Sequence, residues 1–420
     1  MASISRRNFI AASGLGAAGL ATGLGTRLAL AAPGSPASGD ALVVVFLRGG
    51  ADGLMVAPPY GYPSYRQLRP TIAVPPPGSV GGALPLTSAN TNAVFPTGID
   101  GVVGLHPAFQ PVYDTLWTQG KLAVLPAVGL PPSESASRSH FEAEAFVERG
   151  SASSSVGGGW LGRMVNAENP AGVIAAVNTS QRSNLLKGGT RTVGISRLAN
   201  FGVNGFRDRN AAKEALRVLN GANDSVSDQG RFALGLVDQI QSIDGQLRAG
   251  YPDTNVGRSF SELSSLLKAN LGIHAAAIDY GGWDTHSDEG APGDTNGTFW
   301  RLVAGMAAAL RAFADDTNGL EEITVLVITE LGRSIKENGS LGTDHGRAAT
   351  HLAMGAGIRG GVFGDDYPAT IVADPRYGDL TVMTDYRKPV SEIVAKRAGV
   401  IDLGRVFPTY SPAGELGLTR

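Results

Sequence analysis

The 420-residue sequence predicts an α/β protein built on a doubly wound, mostly parallel β-sheet. Three continuous apolar runs, ALVVVFLR, KLAVLPAVG and EITVLVIT, are typical of strands that are buried on both faces. Segments with helical apolar spacing, such as FWRLVAGMAAALRAFADDT, lie between them. Strands that alternate with helices indicate a parallel sheet covered by helices on both sides.

The spacing of apolar residues assigns strands and helices along the chain. Strands are predicted at 41–48, 121–129, 273–282, 322–332 and 349–357. Helices are predicted at 106–120, 137–150, 209–223, 230–250, 258–272, 299–317 and 384–399. Residues 56–104 are rich in proline, glycine and small polar residues, which indicates long loops. We expect one domain over residues 32–420, with a helical insert near 205–260.

The N-terminus reads as a targeting segment. Ser5-Arg6-Arg7-Asn8-Phe9-Ile10 is followed by a short apolar run and by Ala29-Leu30-Ala31, a small-residue cleavage pattern. This is typical of a twin-arginine signal peptide over residues 1–31. The alternative is a membrane anchor, although the run is short for a span of about 20 residues. We expect the twin-arginine machinery as a partner and a periplasmic or secreted location.

Composition excludes several chemistries. The chain has no cysteine, so it has neither disulfides nor thiolate metal ligands. Its 35 basic and 37 acidic residues become about 32 and 37 without the signal peptide, a charge of roughly −5. This balance does not fit a nucleic-acid-binding protein. Any reactive site must therefore use histidine, carboxylate, hydroxyl and backbone groups.

Acids and histidines cluster where predicted strands end. These positions line the ligand crevice of open α/β sheets, and the candidate metal ligands there are Asp52, Asp284, His286, Glu330, Asp344 and His345. Asp284 and His286 are two residues apart, which puts both side chains on one side of an extended segment. The alternatives are polar turns, and for Glu330 an ion pair with the nearby Arg333. Arg48, Arg333 or Arg347 could hold an anionic substrate.

Ser139 and His140 begin a predicted helix and form the candidate catalytic pair. A hydroxyl at a helix N-terminus lies where free N–H groups and the helix dipole stabilise an anion. Ser139 and Glu142 also fit a capping box, which explains the serine without chemistry. A metal-free serine esterase is a further alternative, but the sequence lacks the G-x-S-x-G motif that positions such a serine.

Several motifs together resemble a family of exported bacterial proteins known as domain of unknown function 1501. They are LVVVFLRGGADGL, PSYRQLRPTIAV, LHPAF, RSHFEAEAFVERG, GGWDTH, ITELGR, ENGSLGTDHG and MTDYR. The resemblance implies an alkaline-phosphatase-like or sulfatase-like fold with one or two metal ions. It implies metal-ligand roles for Asp52, Asp284, His286, Glu330 and His345, and a nucleophile near Ser139. The sequence departs from that pattern in having Glu330-Leu331 where Asp-His is usual, and no cysteine for a formylglycine.

The sequence therefore predicts an exported, metal-dependent hydrolase of phosphate or sulfate-type esters. The expected cofactors are divalent ions, which could be zinc, manganese, iron, calcium or magnesium, and the expected substrate is a small-molecule or glycan ester. A non-catalytic metal- or glycan-binding envelope protein on the same fold is the alternative from another functional class.

Overall fold

The computed structural model describes residues 39–88, 93–96, 98–135, 137–170, 173–179, 183–365, 371 and 378–420. The predicted signal peptide, residues 1–31, lies outside the described residues, so its assignment stays a prediction. Within the described part of the chain, no helix combines the length and the apolar character that crossing a membrane requires.

The strands follow the alternating order that the sequence predicts. Their bounds are β1 Ala41–Arg48, β2 Leu84–Pro85, β3 Gly104–Leu105, β4 Leu122–Gly129, β5 Ala176–Asn178, β6 Thr192–Gly194, β7 Ala275–Gly281, β8 Ile323–Thr329, β9 Arg333–Glu337, β10 Thr343–His345, β11 Ala349–Met354, β12 Gly361–Val362 and β13 Thr384–Asp385. The helices are α1 Gly53–Val56, α2 Pro63–Leu68, α3 Gln110–Val112, α4 His140–Arg149, α5 Trp160–Glu168, α6 Arg209–Leu219, α7 Ser225–Gln241, α8 Asn255–Lys268, α9 Thr298–Asp316, α10 Arg387–Lys396 and α11 Leu403–Val406.

The central sheet has the strand order β12-β4-β11-β8-β1-β7-β5-β6, and β13 also pairs with β4. All of these pairings are parallel except those of β11, which runs antiparallel to both β4 and β8. The fold class predicted from the sequence, an α/β protein with a mostly parallel sheet, is confirmed. The antiparallel β11 brings the segment before it to the same edge as the carboxyl ends of β1, β7 and β8.

The sheet is buried on both faces, as its continuous apolar strands predict. In β1, Val43, Val45 and Leu47 join one core cluster, while the alternate residues Leu42, Val44 and Phe46 join the other. Apolar residues of α8 and α9 pack into the first cluster, and those of α5 and α10 into the second. The buried strands therefore form the scaffold from which the loops at the carboxyl edge of the sheet extend.

Two local expectations differ from the structure. The predicted helix at 106–120 is a succession of short turns, Pro107–Phe109, Gln110–Val112 and Tyr113–Trp117, because prolines at 107 and 111 interrupt regular helical hydrogen bonding. Of the helices near 205–260, α6 and α7 are peripheral and partly exposed. In contrast, α8 is largely buried against α9, so it belongs to the layer that covers the sheet.

Candidate metal centre

The candidate centre forms where four loops meet at the carboxyl edge of the sheet. The loop after β7 provides Asp284 and His286, and the residue after β8 is Glu330. The first residue of α4 is His140, and the short β10 strand ends at His345. Of the described residues, His140, Asp284 and His345 form a group whose ligand atoms are close enough together to hold one metal ion.

The ligand atoms form a compact triangle. The Nε2 atoms of His140 and His345 are 2.9 Å apart, and each lies 3.3 Å from Oδ1 of Asp284. Two ligands about 2.1 Å from a zinc ion at tetrahedral angles would lie about 3.4 Å apart. His286 approaches the same atoms, with Nε2 at 2.9 Å from His345 Nε2 and 3.1 Å from Asp284 Oδ1. These distances fit a metal-binding donor set.

The other nitrogen of each imidazole faces a hydrogen-bond acceptor. Nδ1 of His140 lies 2.8 Å from Oε1 of Glu330, and Nδ1 of His345 lies 2.8 Å from the carbonyl oxygen of Arg138. Nδ1 of His286 is 3.5 Å from Oδ1 of Asp344. A carbonyl or carboxylate oxygen can only accept a hydrogen bond, so Nδ1 of His140 and of His345 carries the hydrogen and the Nε2 lone pair of each is left for a metal. This arrangement is the usual outer shell of metal-binding histidines.

Glu330 occupies the position of an orienting acceptor. Its side chain is fully buried, and it accepts hydrogen bonds from His140 Nδ1, from the Gly49 amide at 2.7 Å and from the Thr329 hydroxyl at 3.0 Å. The hydrogen bond with Glu330 raises the pKa of His140, although partial burial opposes it. Glu330 therefore lies behind His140 and outside the triangle of ligand atoms.

Arg333 holds Asp284 in place, a contact that sequence reasoning did not identify. The arginine side chain is buried and donates to Oδ1 of Asp284 at 2.5 Å, and also to the carbonyl oxygens of Gly49, Gly50 and Trp283. Burial tends to raise the pKa of Asp284, but the hydrogen bond and charge of Arg333 lower it overall. Asp284 is therefore held as a carboxylate, the form that binds metal.

Asp52, predicted as a metal ligand, has other partners in the structure. Its side chain caps α1 by accepting from the amides of Leu54 and Met55, and it pairs with Arg69 at 2.8 Å. The Thr343 hydroxyl supplies a further donor at 3.3 Å. These four donors surround a carboxylate that is completely buried. The geometry gives Asp52 a structural role that ties α1 and Arg69 to the strand carrying His345.

Ser139 is the N-cap residue of α4 by position, but its side chain makes no capping hydrogen bond among the described residues. The predicted capping box with Glu142 is not formed, because Glu142 instead accepts a hydrogen bond from the Ser137 hydroxyl at 2.6 Å. Ser139 is partly exposed and adjoins His140 in the chain. The structure therefore does not support the alternative that Ser139 serves only to cap the helix.

The three arginines considered as anion holders are each bound to acidic groups. Arg48 pairs with Glu148 and Asp279, Arg333 with Asp284, and Arg347 with Asp379. Asp344 is the most exposed candidate, and the Asn338 amide donates to it at 3.2 Å. Asp344, like Glu330, therefore lies beside the Nδ1 atom of an imidazole and is not one of the three ligand atoms of the triangle.

A family model described as "Protein of unknown function (DUF1501)" matches residues 130–374. The chain belongs to this family. The matched range contains α4, the loops after β7 and β8, and the β9–β10 hairpin, so all side chains of the candidate centre lie inside it. No curated protein matches the chain.

Solved structures with distant similarity to this DUF1501 protein include three relevant examples. A sulfatase from Pseudoalteromonas sp. has 10% identity and a TM-score of 0.35, covering 87% of this chain and 68% of that one. The C-terminal periplasmic domain of EcEptC from Escherichia coli has 12% identity and a TM-score of 0.35, covering 91% and 93%. A protein in the alkaline phosphatase superfamily from Vibrio parahaemolyticus has 12% identity and a TM-score of 0.31, covering 86% and 71%. Likenesses this distant say nothing about activity.

Proposed function

We propose that this DUF1501 protein is a metal-dependent hydrolase of phosphate or sulfate-type esters. The observation that carries the proposal is the convergence of His140 Nε2, His345 Nε2 and Asp284 Oδ1 at 2.9–3.3 Å, with both Nδ1 atoms held by acceptors. A bound divalent ion would supply Lewis-acid polarisation of a phosphoryl or sulfuryl oxygen. His140, Asp284 and His345 would hold it, with His286 as a fourth ligand.

The donor set narrows the choice of metal. Calcium and magnesium prefer sites made entirely of oxygen ligands. Imidazole nitrogens dominate this set, and they suit zinc and iron better. Manganese sites are richer in carboxylates. We therefore expect zinc or iron in preference to the other ions that the sequence left open.

The residues at the start of α4 would bind the substrate's anionic group. The first N–H groups of a helix have no partner within it, and the positive end of the helix dipole favours an anion. The first hydrogen bond within α4 joins the Ala143 amide to the Ser139 carbonyl. His140 belongs to this first turn, so an anion bound there would lie beside the metal ligands. The Ser139 hydroxyl, free of a capping bond, is the candidate nucleophile.

Elemental analysis combined with ester hydrolysis tests the proposal. We expect purified wild-type protein to contain zinc or iron and to hydrolyse members of a panel of phosphate and sulfate esters. His345→Ala should lose the metal and the activity while remaining folded, because the imidazole is partly exposed at the end of the short strand β10. Lys336→Ala, an exposed change on the same hairpin, should retain both.

Each other outcome favours an alternative. Bound metal without turnover of any ester would indicate the non-catalytic metal- or glycan-binding protein. Turnover by protein that contains no metal, unchanged in His345→Ala, would indicate a serine esterase. A wild-type protein that neither binds metal nor hydrolyses esters would refute the proposal.

Ser139→Ala tests the nucleophile separately. Because Ser139 makes no capping bond, its loss should cost clearly less than the ~1 kcal/mol of a typical N-cap serine. If Ser139 attacks the ester, the variant should keep its metal and its melting temperature but lose turnover. Full activity in the variant would mean that another oxygen nucleophile, such as water, attacks the ester.

A further inference from the structure

Glu144 lies one helical turn beyond His140 on α4. Residues four apart on a helix share a face, with Cβ atoms about 5–6 Å apart, so His140, Glu144 and Glu148 follow one another along the same side. Glu148 is buried, whereas the Glu144 side chain keeps 34% of its surface exposed. Glu144 therefore combines proximity to the candidate centre with access from solvent.

The neighbouring Arg48 leaves Glu144 only loosely held. Arg48 Nη2 makes close ion pairs with Glu148 at 2.6 Å and Asp279 at 2.9 Å, and the arginine is mostly buried between them. The distance from Arg48 Nη1 to Glu144 Oε2 is 3.7 Å, which is beyond hydrogen-bond range. Of the three acids around Arg48, Glu144 is thus the most exposed and lies farthest from the guanidinium group.

The charges around Glu144 come from several elements. Arg48 at the end of β1 faces it, Glu148 and His140 flank it on α4, and Glu330 follows β8. Asp279 on β7 neutralises part of the Arg48 charge. Burial raises the pKa of Glu144, Arg48 lowers it, and Glu330 and Glu148 raise it further, so the net direction is upward. A carboxyl group in these surroundings keeps its proton to higher pH than an exposed glutamate.

We propose that Glu144 is the general acid that protonates the leaving group of the ester. This inference rests on the proposed hydrolase function, and it names a residue that neither the family resemblance nor the metal donor set includes. It also specifies the substrate class as esters of alcohols, whose alkoxide oxygen leaves poorly without a proton.

The proton balance is simple. As the bond from phosphorus or sulfur to the leaving oxygen breaks, its electron pair stays on that oxygen, which takes the proton of Glu144 and departs as the alcohol. Over the complete cycle one water molecule is consumed. Its hydroxyl is added to phosphorus or sulfur, and its remaining proton returns Glu144 to the acid form.

The leaving-group dependence of Glu144→Gln distinguishes this role from ion pairing with Arg48. For an alkyl phosphate or sulfate ester, we expect kcat/KM to fall by about 10²- to 10⁴-fold, the usual contribution of a general acid. For the matching 4-nitrophenyl ester, whose leaving group departs without a proton, the loss should stay below about tenfold. The alkaline limb of the alkyl-ester pH profile should also disappear.

Glu142→Gln is the matched control, because Glu142 is an exposed acid on the same helix that contacts Ser137. It should leave both esters unaffected. Metal content and melting temperature should be equal in both variants and the wild type. An infrared difference spectrum of wild type against Glu144→Gln at mildly acidic pH should contain a protonated-carboxyl band, which is a readout independent of turnover.

The outcomes separate the two proposals. A wild type that hydrolyses no ester refutes the hydrolase function itself. An active wild type whose Glu144→Gln variant loses both esters equally, or neither, refutes the general-acid role alone. If Glu144→Gln is unstable, Glu144→Asp and Glu144→Ala replace it. Glu144→Asp keeps a carboxyl group, so it should retain more alkyl-ester activity than Glu144→Ala, while the two should hydrolyse the 4-nitrophenyl ester equally. Equal activity of Glu144→Asp and Glu144→Ala on the alkyl ester would then overturn the inference.

Discussion

Each imidazole of the candidate centre faces a different kind of acceptor. His140 faces a buried carboxylate, His345 a backbone carbonyl, and His286 an exposed carboxylate. A buried acceptor should hold its imidazole more firmly than an exposed one, because a hydrogen bond is stronger where water is excluded. His140 is therefore the best-fixed ligand and His286 the most adaptable one.

Replacing Glu330 with glutamine should weaken metal binding without removing a ligand. The amide keeps the size of the side chain but loses the negative charge that orients His140 and increases its basicity, so metal affinity should fall about 10- to 100-fold. Competition with a chelator measures this change. Glu322→Gln, an exposed acid before the opposite end of the same strand, is the control. Equal affinities in the two variants would contradict the orienting role of Glu330.

At the residue scale, local spacing predicted only part of the candidate centre. Asp284 and His286 are two residues apart, so their proximity follows from the sequence. The contacts of His140 with Glu330 and His345 join residues 190 and 205 positions apart, and no local pattern indicates them. Asp52 matched a strand-end acid equally well, but its partner Arg69 lies in a segment that the sequence assigned only to loops.

At the level of elements, the β9–β10 hairpin carries His345 to the centre. Its position depends on close backbone contacts at two glycines. A Cβ atom on Gly332 would lie 1.7 Å from the Ala348 carbonyl oxygen, and one on Gly346 would lie 2.4 Å from that of Arg333. Only glycine permits this approach. The hairpin therefore presses against the start of β11, with His345 immediately before Gly346.

Gly346→Ala should displace the hairpin and reduce metal affinity. The added methyl group meets backbone atoms of Arg333, which cannot move without moving the strand. Gly339→Ala is the control in the turn of the same hairpin, where a Cβ atom would have no neighbour within 4 Å. We expect Gly339→Ala to bind metal normally and to change stability by less than about 0.5 kcal/mol. Normal metal binding by Gly346→Ala would show that the hairpin tolerates displacement.

The long strands of the central sheet were easier to predict from the sequence than the β9–β10 hairpin. Long apolar runs identified β1, β4 and β8 because strands buried on both faces need apolar residues throughout. The hairpin is short and mixed in composition, and its strands pair with each other outside the central sheet. Its position is set by steric contact with backbone atoms outside the hairpin, and the hydrophobic pattern of the sequence does not indicate those contacts.

Across the whole molecule, the buried histidines make stability depend on pH. Burial lowers the pKa of His351 to about 4, with the Thr329 amide as its hydrogen-bond donor, and burial lowers that of His106 to about 3. Unfolded histidines titrate near 6.5. The unfolded chain therefore binds more protons than the folded one below that pH, and the free energy of unfolding should fall as pH decreases from about 6.5 to 4.

His351→Gln should flatten this dependence. A shift of this size corresponds to about 3 kcal/mol at the acid end for a fully buried group. Denaturant unfolding of metal-free wild type and variant between pH 7 and pH 4 measures the difference in slope. His106 stays in both proteins, so its contribution cancels. Parallel pH profiles for the two proteins would mean that His351 does not titrate on unfolding.

We expect the location of the protein to depend on the predicted signal peptide at residues 1–31. Replacing both Arg6 and Arg7 with lysine should leave uncleaved precursor in the cytoplasm, because the twin-arginine pair is the feature that directs export by this route. Cell fractionation with an antibody against the mature chain measures the distribution. Normal export of the double variant would contradict the predicted signal.

The central position of β1 has a consequence for how the chain comes to be folded. β1 is synthesised first among the described strands, but its hydrogen-bonding partners are β7 and β8, in which Ala275 and Ile323 pair with Leu42 and Ala41. Until the ribosome has passed those residues, a strongly apolar strand has both edges unpaired and is prone to aggregation. We therefore expect this nascent segment to need shielding, for example by a chaperone, until most of the polypeptide has emerged.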